Sequence, residues 1–430
     1  MKLFLMLMAA SALANAAPAT TIDALSRNYI HLSLAMTPHD SNFVDAYYGP
    51  ARFQEDVLKS PLSLEQIKTQ AQALKADLNA QEKPGANAIE GLRIEYLKKQ
   101  TDAMLARIDM LQGRTMRFDD ESAVLYNAVA PHYDRNHFDA IIKQIDTLLP
   151  GPGTTVERVN AFRSQFVIPR DKLLPVFETA IQECRKQTLK HISLPEGENF
   201  KLEFVTGKVW SGYNWYKGNF QSLIQINVEL PIYIERAIDI GCHEGYPGHH
   251  TYNALIEKNL VNDRKWLEYS VYPLYSPQSL IAEGSANYGV EMAFPDALKR
   301  SFQRDVLYPM AGIDPALFDK YDALLKLTAQ LSYAGNEAAR DYIDGKMTGQ
   351  QAMDWLINVE LYPIEKAPQR IKFFDANRSY VINYNVGKDL VKNYVEYQSR
   401  DAKTESEKLE LRWQKFQQLL STPMLPGDLK

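Results

Sequence analysis

The amino-acid sequence predicts a mainly α-helical protein with one small β element and two lobes around a cleft. Three observations support this fold class. Apolar residues recur at the helical period through most of the chain. Two short alternating or β-branched runs, at 200–209 and 222–228, interrupt that pattern and read as strands. A Pro-Gly-Pro-Gly stretch at 150–153 is typical of a linker, so we expect lobes at 17–150 and 151–430 that form one structural unit.

The first 16 residues have the pattern of a secretory signal peptide. Lys2 provides the positive charge, 3–10 form the apolar run, and Ala14-Asn15-Ala16 form a small-residue cleavage site. The apolar run is too short to span a bilayer, and no cysteine lies near the cleavage point for a lipid anchor. We therefore expect a periplasmic or secreted protein with no stable membrane insertion after signal removal. An uncleaved N-terminal anchor is the alternative.

Composition and charge restrict the partners that we expect. The formal net charge of −5 is spread along the 430 residues, and no basic run or interleaved aromatic patch is present. We therefore expect no nucleic-acid partner. The chain has two cysteines, Cys184 and Cys242. An oxidising compartment would allow a disulfide between them, but a small buried thiol at Cys242 is an equally good account.

The N-terminal lobe is predicted to consist of successive helices between 21 and 112. Ser63 and Gln66 have the spacing of a capping box before one helix, and apolar residues at the helical period predict another at 88–112. The aromatic run at 44–50 is either a lip of the cleft or a packed loop.

The second lobe is predicted to begin with a helix at about 170–192, followed by the two strands. A helix starting near Pro231 comes next, with an apolar face that continues to Cys242. Further helices are expected after Ser276-Pro277, after a capping box formed by Thr348 and Gln351, and at 404–420.

Histidines are concentrated at the end of the helix that starts near Pro231. The chain has eight histidines, and the run Cys242-His243-Glu244-Gly245-Tyr246-Pro247-Gly248-His249-His250 contains three of them. Imidazoles with an adjacent glutamate are the composition of a zinc hydrolase site. On a regular helix His250 would face the same way as His243 but lie about 10 Å further along the axis. Pro247 and Gly248 must break the helix, and the spacing alone allows either His249 or His250 to return to the metal.

Three segments resemble one bacterial family, known as domain of unknown function 885, whose members are similar to zincin-type, gluzincin-like metallopeptidases. The run His243-Glu244-Gly245-Tyr246-Pro247-Gly248-His249 matches the family pattern H-E-x-x-P-G-H. Residues 283–288 are similar to its E-G-W-A-x-Y pattern, with Ser285 in place of the tryptophan. Residues 378–387 are similar to its R-Y…S-Y-x-x-G segment, with Val381-Ile382-Asn383 in place of Pro-Gly-Gln-Ala.

The resemblance implies a helical zincin-like metallopeptidase fold whose second lobe is catalytic. It implies one Zn²⁺ per chain, held by His243, His249 and Glu283; His250 is an alternative ligand, and Glu291 competes with Glu283 for the third position. Glu244 would then be the general base.

The remaining site residues are expected to act on the substrate. The resemblance makes Tyr384 a candidate donor to the oxyanion and Arg378 a candidate partner for a peptide's terminal carboxylate. Asn227 ends the strand 223–227, whose free edge we expect to align an extended peptide.

The sequence therefore predicts zinc-dependent hydrolysis of peptide bonds in short peptides, with carboxypeptidase and oligopeptidase action both open. Two alternatives remain: a secreted binding or scaffold protein that keeps a vestigial metal site, and a hydrolase of a non-peptide amide.

Overall fold

The computed structural model of the protein describes residues 21–81 and 88–429, so the predicted signal peptide at 1–16 lies outside the described residues. Helices account for 67% of the residues and strands for 7%, which confirms the predicted mainly α fold with a small β element. The α-helices of the described residues are α1 Ile22–Ala35, α2 Ala51–Lys59, α3 Leu64–Asn79, α4 Ala88–Leu111, α5 Phe118–Tyr126, α6 Arg135–Leu148, α7 Thr155–Arg163, α8 Leu173–Thr188, α9 Glu235–Glu244, α10 His249–Ile256, α11 Pro277–Ala293, α12 Asp296–Phe302, α13 Tyr308–Ala311, α14 Phe318–Ala329, α15 Ser332–Ile343, α16 Gly349–Asn358, α17 Ala367–Asn377, α18 Ile382–Gln398 and α19 Glu405–Leu420.

Local capping sets the start of several of these helices. Ser63 accepts a hydrogen bond from the Gln66 amide while the Gln66 side chain accepts one from the Ser63 amide, which is the predicted capping box of α3. Thr348 and Gln351 form the same arrangement at α16. In α3 and α16 the backbone N–H groups of the first turn are therefore hydrogen-bonded by side chains close in sequence.

The strands form two small sheets: β1 Val44–Tyr47 pairs with β5 Val271–Pro273, and β2 Asn199–Val205, β3 Gly212–Gly218 and β4 Gln221–Asn227 form a three-stranded sheet. The order of that sheet is β2-β4-β3, with β2 parallel and β3 antiparallel to β4. The prediction of a free edge at 223–227 is therefore wrong, because β4 is paired on both sides. The edge strand β3 lies in the segment between the two predicted strands, for which the sequence had predicted only a connection.

Two hydrophobic cores hold the helices together. The first packs α1, α3 and α4 against α10, α11 and the C-terminal helices α18 and α19. The second packs α6, α7 and α8 against α9 and α14. Each core takes residues from both sides of residue 150, so neither core coincides with one of the two predicted lobes.

The two cysteines, Cys184 of α8 and Cys242 of α9, form a disulfide with a Cα–Cα distance of 5.5 Å. The question that the sequence left open is thus answered in favour of a bridge, which fastens the helix carrying His243 to its neighbour. In the part of the chain that the structure describes, no helix is long and apolar enough to cross a membrane.

Candidate metal centre

The histidine run folds as two short helices joined by a sharp turn. Helix α9 ends at Glu244, the Tyr246–Pro247 peptide bond is cis, and α10 begins at His249. The turn passes so close to α9 that a Cβ on Gly248 would lie 1.8 Å from the His243 carbonyl oxygen. Only glycine fits such an approach. The break that Pro247 and Gly248 predict is therefore present, and it returns His249 towards α9.

Three ligand-type atoms converge beside this turn. The His243 and His249 rings lie 4.6 Å apart and perpendicular to each other. Glu283, from the middle of α11, places Oε2 3.2 Å from His243 Nε2 and 3.7 Å from His249 Nε2. This carboxylate oxygen is buried and accepts no hydrogen bond from the described residues.

Neighbouring side chains fix two of these groups. Asn287, one turn after Glu283 on α11, accepts from His243 Nδ1 through its Oδ1 at 3.0 Å, which leaves the Nε2 lone pair facing Glu283. The Asn287 amide also donates to the Tyr384 carbonyl oxygen at 2.9 Å. Tyr380 donates its hydroxyl to Glu283 Oε1 at 2.8 Å. Each oxygen of Glu283 thus has a distinct environment.

The electrostatics of this cluster favour a cation. Burial alone would raise the pKa of Glu283, yet the two facing imidazoles hold it well below its usual range. Burial would lower the pKa of His249, but Glu283, Glu244 and Asp45 raise it to about 9. Both shifts follow from the attraction between the Glu283 carboxylate and the imidazoles, and the other two carboxylates add to the rise at His249.

Glu244 lies beside the imidazoles and against strand β3. A Cβ on Gly212 of β3 would meet Glu244 Oε1 at 2.9 Å, and the Asn214 side chain donates to the Glu244 carbonyl oxygen at 2.7 Å. Burial raises the pKa of the Glu244 carboxyl, and the two histidines oppose that rise. The second carboxylate is therefore close to the same nitrogens: His243, Glu244 and His249 offer ligand atoms within 4.8 Å of one another.

Tyr384 lies close to the carboxylates and has a free hydroxyl. Its ring packs 5.9 Å from that of Tyr380, and its hydroxyl makes no hydrogen bond with the described residues. Burial raises the pKa of Tyr384 well above its usual value, and the charge of Glu283 adds to the rise. The phenol therefore stays protonated and can donate.

The structure removes two candidate ligands. His250 is fully buried and points away from the cluster, with Ser222 at 2.8 Å from Nδ1 and Glu198 at 2.9 Å from Nε2. Both ring nitrogens are engaged, so the alternative assignment of His250 as a ligand is wrong. Glu291 forms ion pairs of 2.5 and 2.8 Å with Lys388 and Lys392, so it does not compete with Glu283.

Two candidate substrate-binding residues are also engaged elsewhere. Arg378 pairs with the buried Glu121 at 2.6 Å and donates to the Met116 carbonyl oxygen, so it is not available to a peptide carboxylate. The Asn227 side chain donates to the Lys208 and Trp210 carbonyl oxygens and accepts from the Glu229 amide. The Asn227 side chain therefore holds the loop between β2 and β3. The predictions that Asn227 and Arg378 bind substrate are both wrong.

Sequence reasoning missed Asp45, whose carboxyl accepts the Tyr213 hydroxyl. Burial raises the pKa of Asp45 to about 6, and the charges of His249, Glu283 and Glu244 all act on it. The aromatic run at 44–50 was the available signal, since it suggested a lip of the cleft. Asn287 was also missed, although its place four residues after Glu283 on one helix face could have indicated a shared site.

The residues present fit a zinc ion. Two neutral imidazole nitrogens and one carboxylate oxygen are a frequent ligand set of catalytic zinc. A buried carboxylate oxygen without a donor is rare in folded proteins, and it needs a partner that this chain does not supply. The hydrogen bond from His243 to Asn287 is the usual support of a zinc-binding imidazole.

Comparisons with known proteins give distant structural likenesses. No protein-family model matches the chain, and no curated protein matches it. A proposed lipoprotein from Colwellia psychrerythraea is 15% identical with a TM-score of 0.49, over 85% of this chain and 64% of that one, so this chain spans about two thirds of its length. A proposed lipoprotein of unknown function from Shewanella oneidensis is 13% identical with a TM-score of 0.44, over 85% and 75% of the chains.

An M32 carboxypeptidase from Deinococcus radiodurans R1 is 12% identical with a TM-score of 0.48, over 95% of this chain and 94% of that one. At these identities and TM-scores the likenesses carry no argument about function. The resemblance to the domain of unknown function 885 family likewise stays a prediction.

Proposed function

We propose that this protein is a zinc-dependent hydrolase of peptide bonds that acts on short peptides in the periplasm or outside the cell. One observation carries the proposal. Two imidazole nitrogens from either side of a glycine-dependent turn face one buried carboxylate oxygen that has no other partner, and a second glutamate lies beside them.

In this proposal His243, His249 and Glu283 hold one zinc ion per chain. Zinc, when bound, supplies Lewis acidity, which lowers the pKa of water and polarises a carbonyl group. Glu244 accepts a proton at its carboxylate during attack and returns it to the leaving amine. Its raised pKa suits this role, because a carboxylate that binds protons more tightly is the stronger base. Tyr384 donates its free hydroxyl to the negative oxygen that develops on the carbonyl.

Strand β3 is the proposed guide for the peptide backbone. It is an edge strand of its sheet, and its first residue, Gly212, lies against Glu244. An extended peptide that adds to this edge would be aligned by main-chain hydrogen bonds next to the general base. The absence of a Cβ at Gly212 leaves the room that the Glu244 carboxylate occupies.

An exported location is part of the proposal. The disulfide between Cys184 and Cys242 is stable in an oxidising compartment and is rare in the cytosol. The signal pattern at 1–16 agrees with this location.

The test combines metal analysis with two glutamate variants. The purified protein should contain about one zinc per chain. Glu244→Gln should keep that zinc and lose roughly 10²–10⁴ of kcat towards a peptide library, because only the proton acceptor is removed. Glu283→Gln should lose both zinc and activity. A parent that binds zinc but cleaves no peptide would contradict the proposal and favour a scaffold with a vestigial site; cleavage of amide model compounds alone would favour a non-peptide amide as substrate.

A further inference from the structure

Two arginines of the described residues form no ion pair. In the described residues the Arg236 side chain makes no hydrogen bond or ion pair, and the same holds for Arg370, whose Nε is buried without an acceptor. Both residues are partly buried. A partly buried guanidinium normally pairs with a carboxylate, as Arg378 does with Glu121. Asp239, whose pKa Arg236 helps to lower, is already paired with Lys299, so both arginines remain open to an incoming anion.

Arg236 shares a helix face with the metal centre. It lies seven residues before His243 on α9, which is two helical turns and about 10 Å along the axis. Burial raises the pKa of Glu244, and Arg236 is one of the cations that oppose the rise. The Arg236 charge therefore acts on the proposed general base.

Arg370 reaches the same region from α17. Its guanidinium lies 5.1 Å from the centre of the Phe373 ring, which lies 6.3 Å from the ring of Tyr384. Its charge opposes the burial that raises the pKa of Tyr384. Arg370 and Arg236 both oppose the rise in the pKa of Tyr362 that burial causes, so the charges of both arginines act on one side chain.

Two hydrogen bonds join helix α17 and the residue before it to neighbouring segments. Gln369 donates to the Lys208 carbonyl oxygen at 2.8 Å, in the loop between β2 and β3. Lys366 donates to the Pro231 carbonyl oxygen at 3.4 Å, just before α9. An extended peptide advances about 3.4 Å per residue, so the gap of about 10 Å between the level of His243 and that of Arg236 holds at most three residues. A peptide whose scissile bond lies at the metal would therefore reach the level of Arg236 within about three residues.

Lys366, which lies just before α17, is affected by the charges of the same region. Burial lowers the pKa of Lys366 to about 8; Arg236 and Arg163 lower it further, and Glu365 and Glu235 oppose them. The nearby Glu360 forms no ion pair with the described basic residues, and burial raises its pKa to about 7, so its carboxyl is a weak counter-charge. The basic groups that lower the pKa of Lys366 would also attract an incoming anion.

We propose that Arg236 and Arg370 bind the free α-carboxylate of a peptide, so that the enzyme removes short fragments of one to three residues from C-termini. The inference rests on the proposed peptide hydrolysis and gives it a direction. The two guanidinium groups take the role that the sequence had assigned to Arg378, since charge-assisted hydrogen bonds from planar guanidinium groups fit a carboxylate well.

The experiment uses one N-acetylated peptide library in two forms, with a free C-terminal carboxylate and with a C-terminal amide. Mass spectrometry identifies the fragments, and the ratio of kcat/KM for acid over amide measures the preference. The parent should prefer the acid by roughly tenfold to a hundredfold and release fragments from the C-terminus. Arg236→Ala and Arg370→Ala should each move the ratio towards one, mainly through KM, with zinc content unchanged, and Arg370→Lys should restore part of it.

Arg304→Ala is the matched control, because Arg304 is an exposed arginine paired only with its neighbour Asp305. It should keep the ratio of the parent. Equal cleavage of both library forms by the parent would overturn the carboxylate subsite and leave peptide hydrolysis standing. Cleavage confined to internal acidic residues in both forms would also overturn it, since the arginines would then bind a side chain. No cleavage of either form would overturn the proposed function and this inference together.

A binding measurement separates recognition from turnover. In Glu244→Gln, calorimetry with the library peptide that the parent cleaves fastest should give a lower Kd for its acid than for its amide. Adding Arg236→Ala to Glu244→Gln should remove that difference. The same Kd for acid and amide in Glu244→Gln would overturn the subsite.

Discussion

At the scale of single residues, the two adjacent histidines of the motif show how partners decide a role. His249 faces Glu283, whereas His250 is held between Ser222 and Glu198. Both imidazoles are of the same type and lie next to each other in sequence. What differs is the acceptor or donor that each ring nitrogen finds, and this depends on residues that are distant along the chain.

The support of His243 can be tested by removing its acceptor. Asn287→Ala deletes the oxygen that holds the Nδ1 proton, so we expect zinc affinity to fall roughly tenfold to a hundredfold. Competition with a chromogenic chelator measures the change. Ser222→Ala removes the equivalent partner of His250 and should leave zinc affinity as in the parent. An equal loss of affinity in both variants would contradict the assignment of the two histidines.

At the scale of elements, the sequence predicted local features well and pairing poorly. The helix starts at Ser63 and Thr348 and the break at Pro247-Gly248 follow from side chains within a few residues. The central position of β4 depends on β2 and β3, which compete for its two edges. Likewise, the partner of Arg378 lies 257 residues away in sequence. No pattern in a single sequence encodes such contacts.

The turn between α9 and α10 should not tolerate a side chain at Gly248. In Gly248→Ala the new methyl group would overlap the His243 carbonyl oxygen, and backbone cannot move aside there without displacing the helix. We expect lower thermal stability and loss of zinc, measured by calorimetry and metal analysis. Gly91→Ala is the control: Gly91 lies in α4 with nothing near its Cβ position, so alanine should raise stability by about 0.5–1 kcal/mol. Parent-like zinc content and melting in Gly248→Ala would refute the role of the turn.

The disulfide joins α8 to the helix that carries His243. Its two cysteines are 58 residues apart, so the loop-closure model gives a stabilisation of about 4 kcal/mol. We expect Cys184→Ala/Cys242→Ala to melt at a clearly lower temperature than the parent in calorimetry. Reductant should lower the Tm of the parent and leave that of the double variant unchanged. The parent should be treated with reductant while unfolded, so that a buried disulfide is accessible. An unchanged Tm after this treatment would argue against the bridge.

At the scale of the whole molecule, the partly buried side chains of Arg236, Arg370 and Glu360 form no ion pair within the described part of the chain. Surface charges such as Arg304 and Lys258 have neighbouring carboxylates. Glu283 faces two imidazoles, and its Oε2 accepts no hydrogen bond from the described residues. Buried charge without compensation costs stability, so the molecule carries this cost where the proposed ligand and substrate bind.

The cost at Glu360 predicts how stability depends on pH. Burial raises its pKa in the folded protein from 4.5 to about 7, opposed only in part by Arg370. The folded state therefore binds this proton more tightly than the unfolded state does. Stability from this group is fully present below about pH 4.5, falls as pH rises from there to about 7, and is constant above.

Glu360→Gln keeps a neutral side chain at every pH and should remove this dependence. The Tm of the variant should exceed that of the parent increasingly between pH 4.5 and 7, with a constant difference above pH 7, in scanning fluorimetry from pH 4 to 8. Glu365→Gln, at an exposed position of the same segment, corrects for the loss of one acidic group. A parent and a Glu360→Gln variant whose Tm values run parallel from pH 4 to 8 would show that Glu360 titrates alike in the folded and unfolded states. Glu360 would then carry a full negative charge beside Arg370 at neutral pH.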